Sequence, residues 1–226
     1  MEALDVVFGV DMSSKTLPRI PSIKLFMEEL SKSLIEKTTH LNLGSLKFGS
    51  EAEVTFPYQL QSSSDLFVGM VKRLSVADGG RALDAALLKA YESFFKPRHN
   101  SDGSSYLTVE RIRKIILSGG DVVERLRKDQ KTDRKKLFVL LVGGKHLKSD
   151  ATNIIPSHAS RLLNDLGVKI IVVTFGNKEV DRQLKDIAEN PGDVFNGNKA
   201  SSASQVMRSL CERFGKSEYH FFKFHA

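Results

Sequence analysis

Three apolar runs along the chain have the pattern of buried strands. Leu4–Val10, Leu137–Val142 and Val168–Phe175 are almost continuously hydrophobic and shorter than a typical helix. Strands of a parallel sheet that are covered on both faces have this composition. Two further runs, Leu41–Phe48 and Glu51–Tyr58, are joined by a glycine–serine turn, and the second alternates apolar and polar residues. These two runs predict an antiparallel hairpin with one half-buried face.

Amphipathic segments separate the predicted strands. After the first strand, apolar side chains recur with helical spacing, which predicts a helix that turns one stripe towards the core. The stripe consists of Ile23, Phe26, Met27, Leu30 and Leu34. Further helices are predicted at 62–74, 83–94, 155–166, about 178–190 and 203–214, with a brief strand at Val194-Phe195.

Apolar strands that alternate with amphipathic helices predict an α/β fold. We expect a doubly wound, mostly parallel central sheet with one antiparallel edge strand, flanked by helices, as in Rossmann-like domains. No linker-like stretch and no internal repeat divides the chain. The prediction is a single domain over residues 1–215 with a basic helical insertion at about 96–136, followed by an aromatic tail at 216–226.

The composition is that of a globular protein, with 41% hydrophobic and 27% charged residues. No apolar run approaches the roughly 20 residues that a membrane-spanning helix needs. The acidic start of the chain lacks the pattern of a secretory signal peptide. Cys211 is the single cysteine, which excludes an intrachain disulfide framework and a cysteine-rich zinc site. We expect a packed thiol in the last helix, with pairing to another chain as the alternative.

The positive charge is concentrated in residues 96–136. The chain has a net charge of +7, from 34 basic and 27 acidic residues, and this segment supplies nearly all of the excess. It lies between a helix and a strand, so it should lie where the strands of the sheet begin, and it contains predicted helices at 107–117 and 121–128. It is either a surface for a polyanion or a partner, or a solvated element whose arginines alternate with inward-facing apolar residues. The candidate binding residues are Arg111, Arg113, Lys114, Arg125, Arg127, Lys128, Lys131, Arg134, Lys135 and Lys136.

No sequence motif for catalysis follows the predicted strands. In open α/β sheets the ligand site lies beyond the carboxyl ends of the strands, here at residues 11–15, 79–82 and 143–145. These segments contain no glycine-rich dinucleotide or phosphate loop, and the chain has no serine-nucleophile elbow. The six histidines form no helical metal pair. The sequence therefore predicts a protein that is not an enzyme.

The order of these features resembles that of a von Willebrand factor A domain. The first strand runs into Asp11-Met12-Ser13-Ser14-Lys15, a hairpin follows, and Asp78-Gly79-Gly80 precedes an alanine- and leucine-rich helix. Later, Leu137–Val142 ends in two glycines, and Val168–Phe175 is followed by a helix and Gly192-Asp193-Val194-Phe195. The resemblance covers about residues 4–214, apart from the basic insertion, and is nearest to the A modules of type VI collagen.

The resemblance implies a metal-ion-dependent adhesion site, in which a D-x-S-x-S loop, a threonine and an aspartate hold Mg²⁺. Asp11 and Ser13 match this pattern, whereas Lys15 replaces the second serine. Ala82 falls at the threonine position and Gly143 at the aspartate position. Mg²⁺ prefers a small octahedral set of hard oxygen ligands. We therefore expect weak or no metal binding at this degenerate site, and no other cofactor.

The lysine in the first loop leaves two interpretations open. The ammonium group of Lys15 either pairs with Asp11 and takes the place of the metal, or it points into solvent beside Ser14 at an eroded site. Surface charge pairs are usually weak, which favours the second interpretation.

The resemblance also implies a function. It predicts a non-catalytic protein-binding and adhesion module of a secreted extracellular matrix protein, which binds collagen or another matrix component or assembles with like modules. A sulfated glycosaminoglycan is a further candidate partner of the basic segment, whereas single-stranded nucleic acid is disfavoured because no aromatic platform interleaves the basic residues. No membrane partner is expected. The alternative is an intracellular scaffold, cytoplasmic or nuclear, that docks onto protein or nucleic-acid complexes through the basic segment.

Overall fold

Six strands form one sheet in the computed structural model, which describes residues 1, 3–61, 64–76, 79–96, 134–143, 154–176, 182–188 and 190–214. The strands are β1 (Ala3–Asp11), β2 (His40–Phe48), β3 (Ala52–Gln61), β4 (Lys135–Gly143), β5 (Val168–Phe175) and β6 (Val194–Asn196). Their order across the sheet is β3-β2-β1-β4-β5-β6. The β2–β3 pair is antiparallel and the other described pairs are parallel. The predicted sheet with one antiparallel edge strand is confirmed.

Helices cover both faces of this sheet. They are α1 (Ile20–Lys37), α2 (Asp65–Arg73), α3 (Leu83–Ala90), α4 (Ile154–Asp165), α5 (Arg182–Ala188) and α6 (Ser202–Phe214). Helices α1, α2 and α6 pack into one hydrophobic core, and α3, α4 and α5 pack into the other. None of these described helices has both the length and the apolar composition needed to cross a membrane.

The sequence pattern explains which side chains are buried. The five apolar residues of the predicted stripe on α1 are all buried in the first core. Along β1, Val6 and Phe8 face the first core, whereas Val7 between them faces the second. A strand covered on both faces must be apolar at successive positions, which is why β1, β4 and β5 read as continuous hydrophobic runs.

Short turns add detail that the periodicity does not predict. Ser14–Arg19 forms a 3₁₀ turn between β1 and α1, and Pro191–Asp193 forms another before β6. A π-helical turn at Tyr91–Phe95 extends α3. The predicted helices at 107–117 and 121–128, most of the basic insertion and the tail at 216–226 lie outside the described residues.

Parallel pairing sets which residues meet at each end of the sheet. The carboxyl ends of β1 and β4 carry Asp11 and Gly143, and both adjoin the 3₁₀ turn that follows β1. At the opposite end, Lys135 pairs with Leu4 at the start of β1. The described end of the basic segment, Arg134–Lys136, therefore lies where the strands begin.

Candidate functional site

Asp11 is the centre of the site at the carboxyl end of the sheet. It is the last residue of β1 and its side chain is fully buried. Its Oδ1 accepts a hydrogen bond from the Ser13 amide at 3.0 Å, and its Oδ2 accepts one from the Gly143 amide at 3.2 Å. Two backbone amides from separate segments therefore fix the orientation of the carboxylate.

The counter-charge of Asp11 comes from Arg81. The guanidinium Nε of Arg81 lies 2.6 Å from Oδ2 of Asp11, and the side chains are 6% and 0% exposed. Nε and Nη2 of Arg81 are buried without a hydrogen-bond partner, so the contact is an ion pair rather than an aligned hydrogen bond. Arg81 reaches the site from the segment before α3, where Gly79 turns the chain with a φ of +95°.

A chain of hydroxyl groups closes the other side of the site. The Thr16 hydroxyl donates to the carbonyl oxygen of Gly143 at 3.2 Å, and it lies 3.4 Å from the Ser13 hydroxyl. Because Thr16 has one hydroxyl proton and gives it to Gly143, Ser13 is the donor to Thr16. Ser13 and Thr16 are both buried, so this chain ties the 3₁₀ turn to the end of β4.

The structure corrects one of the two interpretations of Lys15. The cation paired with Asp11 is Arg81, while Ser14 and Lys15 are exposed on the 3₁₀ turn. Ala82, at the expected threonine position, precedes α3, and its amide donates to the carbonyl oxygen of Gly49 at 2.7 Å. Lys15 therefore belongs to the surface around the site rather than to its buried centre.

Sequence reasoning missed two residues of this site. Arg81 lies 70 positions after Asp11 in the chain, and Thr16 lies one position beyond the D-x-S-x-S loop. A signal for Arg81 was present in the sequence, since it directly precedes Ala82, the position at which the family resemblance implies a threonine ligand. A cation next to a position where an expected metal ligand is missing is a reason to test for an internal ion pair.

The residues present do not fit a divalent cation. Both carboxylate oxygens of Asp11 already accept amide hydrogen bonds, and the Arg81 guanidinium lies against Oδ2. Gly143 offers no side-chain oxygen, and a Cβ placed there would overlap the methyl group of Thr16. Within the described ranges, no group of three or more His, Cys, Asp or Glu side chains could hold a metal. The described residues would give Mg²⁺ few of the oxygens of its octahedral set.

The described residues at the end of the basic segment contact the domain itself. Arg134 Nε donates to Oδ1 of Asp5 at 2.6 Å, and Asn42 donates to the same oxygen at 2.9 Å. Lys135 Nζ donates to the carbonyl oxygen of Phe214 at 2.6 Å. Burial lowers the pKa of the Lys136 ammonium, and the nearby Asp5 opposes this effect. The other seven candidate residues for polyanion binding lie outside the described residues.

Tyr58 offers a test of the packing at this end of the sheet. Its ring stacks edge-on against Phe94 with centroids 5.3 Å apart, and its hydroxyl is buried without a hydrogen-bond partner. Burial raises the pKa of this hydroxyl far above its usual range, and the Asp5 carboxylate adds to the rise. We expect Tyr58→Phe to stabilise the protein by about 1 kcal/mol, because it removes an unpaired buried polar atom. Urea unfolding measures this change, and a loss of stability would show that the hydroxyl has a partner.

The family is shown by the match of the sequence to a family model. Residues 5–118 and 120–209 match the von Willebrand factor type A domain, so the chain belongs to this family. Domains of this family are generally non-catalytic adhesion modules. No curated protein is a significant sequence match to the chain.

Solved structures with the same fold include proteins of matrices and pili. One is proximal thread matrix protein 1 from the mussel byssus, whose structure has a zinc-occupied metal-ion-dependent adhesion site (MIDAS) motif. It is 19% identical to this chain with a TM-score of 0.60, and the match covers 92% of this chain and 46% of the mussel chain. The type V pilus tip protein Mfa5 of Porphyromonas gingivalis is 11% identical with a TM-score of 0.61, covering 96% and 97%. The pilus adhesin SpaC of Lactobacillus rhamnosus GG is 12% identical with a TM-score of 0.57, covering 94% and 30%. The chain thus spans about half the length of the mussel structure.

Proposed function

We propose that this domain is a non-catalytic adhesion module of an extracellular matrix protein, and that it binds collagen or another matrix component without a metal ion. The observation that carries the proposal is the Arg81–Asp11 ion pair, 2.6 Å long, at the carboxyl end of a von Willebrand factor A sheet. It neutralises the buried aspartate with a side chain of the same domain. The matrix and pilus proteins among the structural neighbours support an adhesive role.

The surface around the buried pair has the chemistry of a protein-binding site. Leu17 of the 3₁₀ turn is 56% exposed and lies in the chain between the exposed cations Lys15 and Arg19. Gly79 and Gly80 expose backbone on the segment that delivers Arg81. An exposed apolar side chain flanked by charges can be buried by a partner, while the cations favour an acidic one. We assign the docking surface to residues 14–19 and 79–80.

The first test is binding to immobilised collagen by surface plasmon resonance, in Mg²⁺ and in EDTA, at low and high salt. We expect equal binding in Mg²⁺ and in EDTA. We also expect Leu17→Ser to weaken it about tenfold or more, as truncation of an interface anchor does. The matched control is Leu66→Ser, because Leu66 is 70% exposed and lies at the start of α2. Helix α2 follows the end of β3, and that end of β3 pairs with the start of β2.

The outcomes separate the alternatives. Loss of binding in EDTA would contradict a metal-free site. Equal weakening of binding by Leu17→Ser and Leu66→Ser would show that the docking surface is not at the 3₁₀ turn. Binding that fails at high salt, with Leu17→Ser harmless, would favour a polyanion or partner surface on the basic segment. Absence of binding to collagen in every buffer would contradict collagen as the partner. It would favour another matrix partner or the intracellular scaffold.

A further inference from the structure

We infer that Arg81 is a built-in replacement for a divalent cation, which holds the loops at the carboxyl end of the sheet in one arrangement whether or not metal is present. The inference deepens the proposed function, on which its meaning for partner binding rests. It concerns Arg81, Thr16 and Gly143 acting together with Asp11.

The first argument is electrostatic. Asp11 is fully buried, and a buried carboxylate requires a cation or several donors to replace its hydration. Ser13 and Gly143 supply two backbone donors, and Arg81 supplies the full positive charge from a side chain that is 6% exposed. The pair is neutral, so the buried site has no remaining charge for a divalent ion to neutralise.

The second argument concerns space and the remaining oxygens. The family resemblance implies an aspartate at the position of Gly143, but here the Thr16 side chain fills the volume that a Cβ would need. Thr16 uses that position to hydrogen-bond the Gly143 carbonyl at 3.2 Å. The glycine at 143 and the buried position of Thr16 therefore depend on each other, and they leave the hydroxyl groups committed to the fold.

The third argument is connectivity. The site joins the 3₁₀ turn after β1, the segment before α3 and the end of β4, which are far apart in the chain. Asp11 contacts all three through Ser13, Arg81 and Gly143. A cation that is part of the chain cannot dissociate, so the surface built on these segments should keep one shape in Mg²⁺ and in EDTA.

A double-mutant cycle in the intact chain tests this inference without any partner. Arg81→Gln leaves a buried carboxylate unpaired and is expected to lower Tm by roughly 10 °C. Arg19→Gln is the matched control, because Arg19 is exposed at the same end of the fold, and we expect a shift below about 2 °C. Asp11→Asn and Asp11→Asn/Arg81→Gln complete the cycle. The double variant leaves no buried charge and should recover part of the loss, although asparagine keeps only one of the two oxygens that accept from the Ser13 and Gly143 amides.

Two further measurements complete the test. Calorimetric titration of the unmodified chain with MgCl₂ or MnCl₂ should give no binding, and its Tm should be the same in millimolar Mg²⁺ and in EDTA. Hydrogen exchange of the Ser13 and Gly143 amides should accelerate in Arg81→Gln and not in Arg19→Gln. Metal binding by the unmodified chain, additive effects in the cycle, or equal Tm values for Arg81→Gln and Arg19→Gln would each overturn the inference. None of these results depends on whether collagen is the partner.

Discussion

Replacing both Lys169 and Arg213 with methionine should lower the free energy of unfolding by about 3–5 kcal/mol. The reason is Asp193, which is fully buried before β6. Lys169 Nζ lies 2.6 Å from its Oδ2, and Arg213 contacts its Oδ1. Without these cations a carboxylate would remain buried and unpaired. Urea unfolding measures the change as a lower midpoint at an unchanged slope.

Replacing the buried carboxylate, instead of its two cations, should lower the free energy of unfolding much less. Asp193→Asn leaves two cations whose side chains are 27% and 34% exposed, so water can solvate them. We expect it to cost less than half of the loss in the double variant. Adding Asp193→Asn to the double variant should restore stability, because no buried charge then remains. An Asp193→Asn loss as large as that of the double variant would show that the carboxylate has a role beyond this pairing.

This cluster also determines how α6 is held. Arg213 lies in the last turn of α6, and the carbonyl oxygen of Phe214 accepts the hydrogen bond from Lys135. The Lys135 ammonium is 5.7 Å from the centre of the Phe214 ring. The end of α6 is thus attached to β4 directly and to β5 through Asp193. Amide hydrogen exchange in the last turn of α6 should increase in the double variant before global unfolding.

Gly143→Ala should destabilise the protein by about 1–3 kcal/mol, the usual cost of overpacking a filled core. A Cβ at this position would overlap Cγ2 of Thr16 and lie 2.9 Å from its Oγ1. Gly143→Asp should cost more, because it also adds a carboxylate beside the buried Asp11. We therefore expect the aspartate that the family resemblance implies at this position to destabilise this domain.

The matched controls separate crowding from backbone effects. Gly80→Ala should change the unfolding free energy by less than about 0.5 kcal/mol, because no atom of the described residues lies within 4 Å of the added Cβ. Thr16→Ala removes the overlapping methyl group, so Gly143→Ala should cost less in that background than alone. Equal costs in both backgrounds would mean that Thr16 is not the source of the overlap.

The order of elements followed from the sequence because periodicity is a local property. Side chains on a strand covered from both faces must be apolar at successive positions, so the runs that form β1, β4 and β5 were recognisable. The stripe of α1 was equally clear, since a helix with one buried face repeats its apolar residues with helical spacing. The glycine–serine turn between two alternating segments predicted the β2–β3 hairpin.

The two matching positions of the site also followed from local sequence. The segment 11–15 was found because a strand places its last residues at the carboxyl edge of the sheet. Asp11 and Ser13 were singled out within it by the family resemblance. The 3₁₀ turn at Ser14–Arg19 was not predicted, because its side chains have no simple period. Its two important residues face opposite ways: Thr16 is buried against β4, and Leu17 is exposed.

Which charges meet at the buried sites was decided by the tertiary structure. Arg81 meets Asp11, and Arg213 and Lys169 meet Asp193, across large separations in the chain. Composition does not distinguish these residues from ordinary surface cations. Periodicity does not show which carboxylate each cation contacts. The sequence by itself therefore determined the fold and the location of Asp11 at the carboxyl end of the sheet, because both depend on local hydrophobic pattern. Which cation neutralises each buried carboxylate depends on the distance and burial that packing creates.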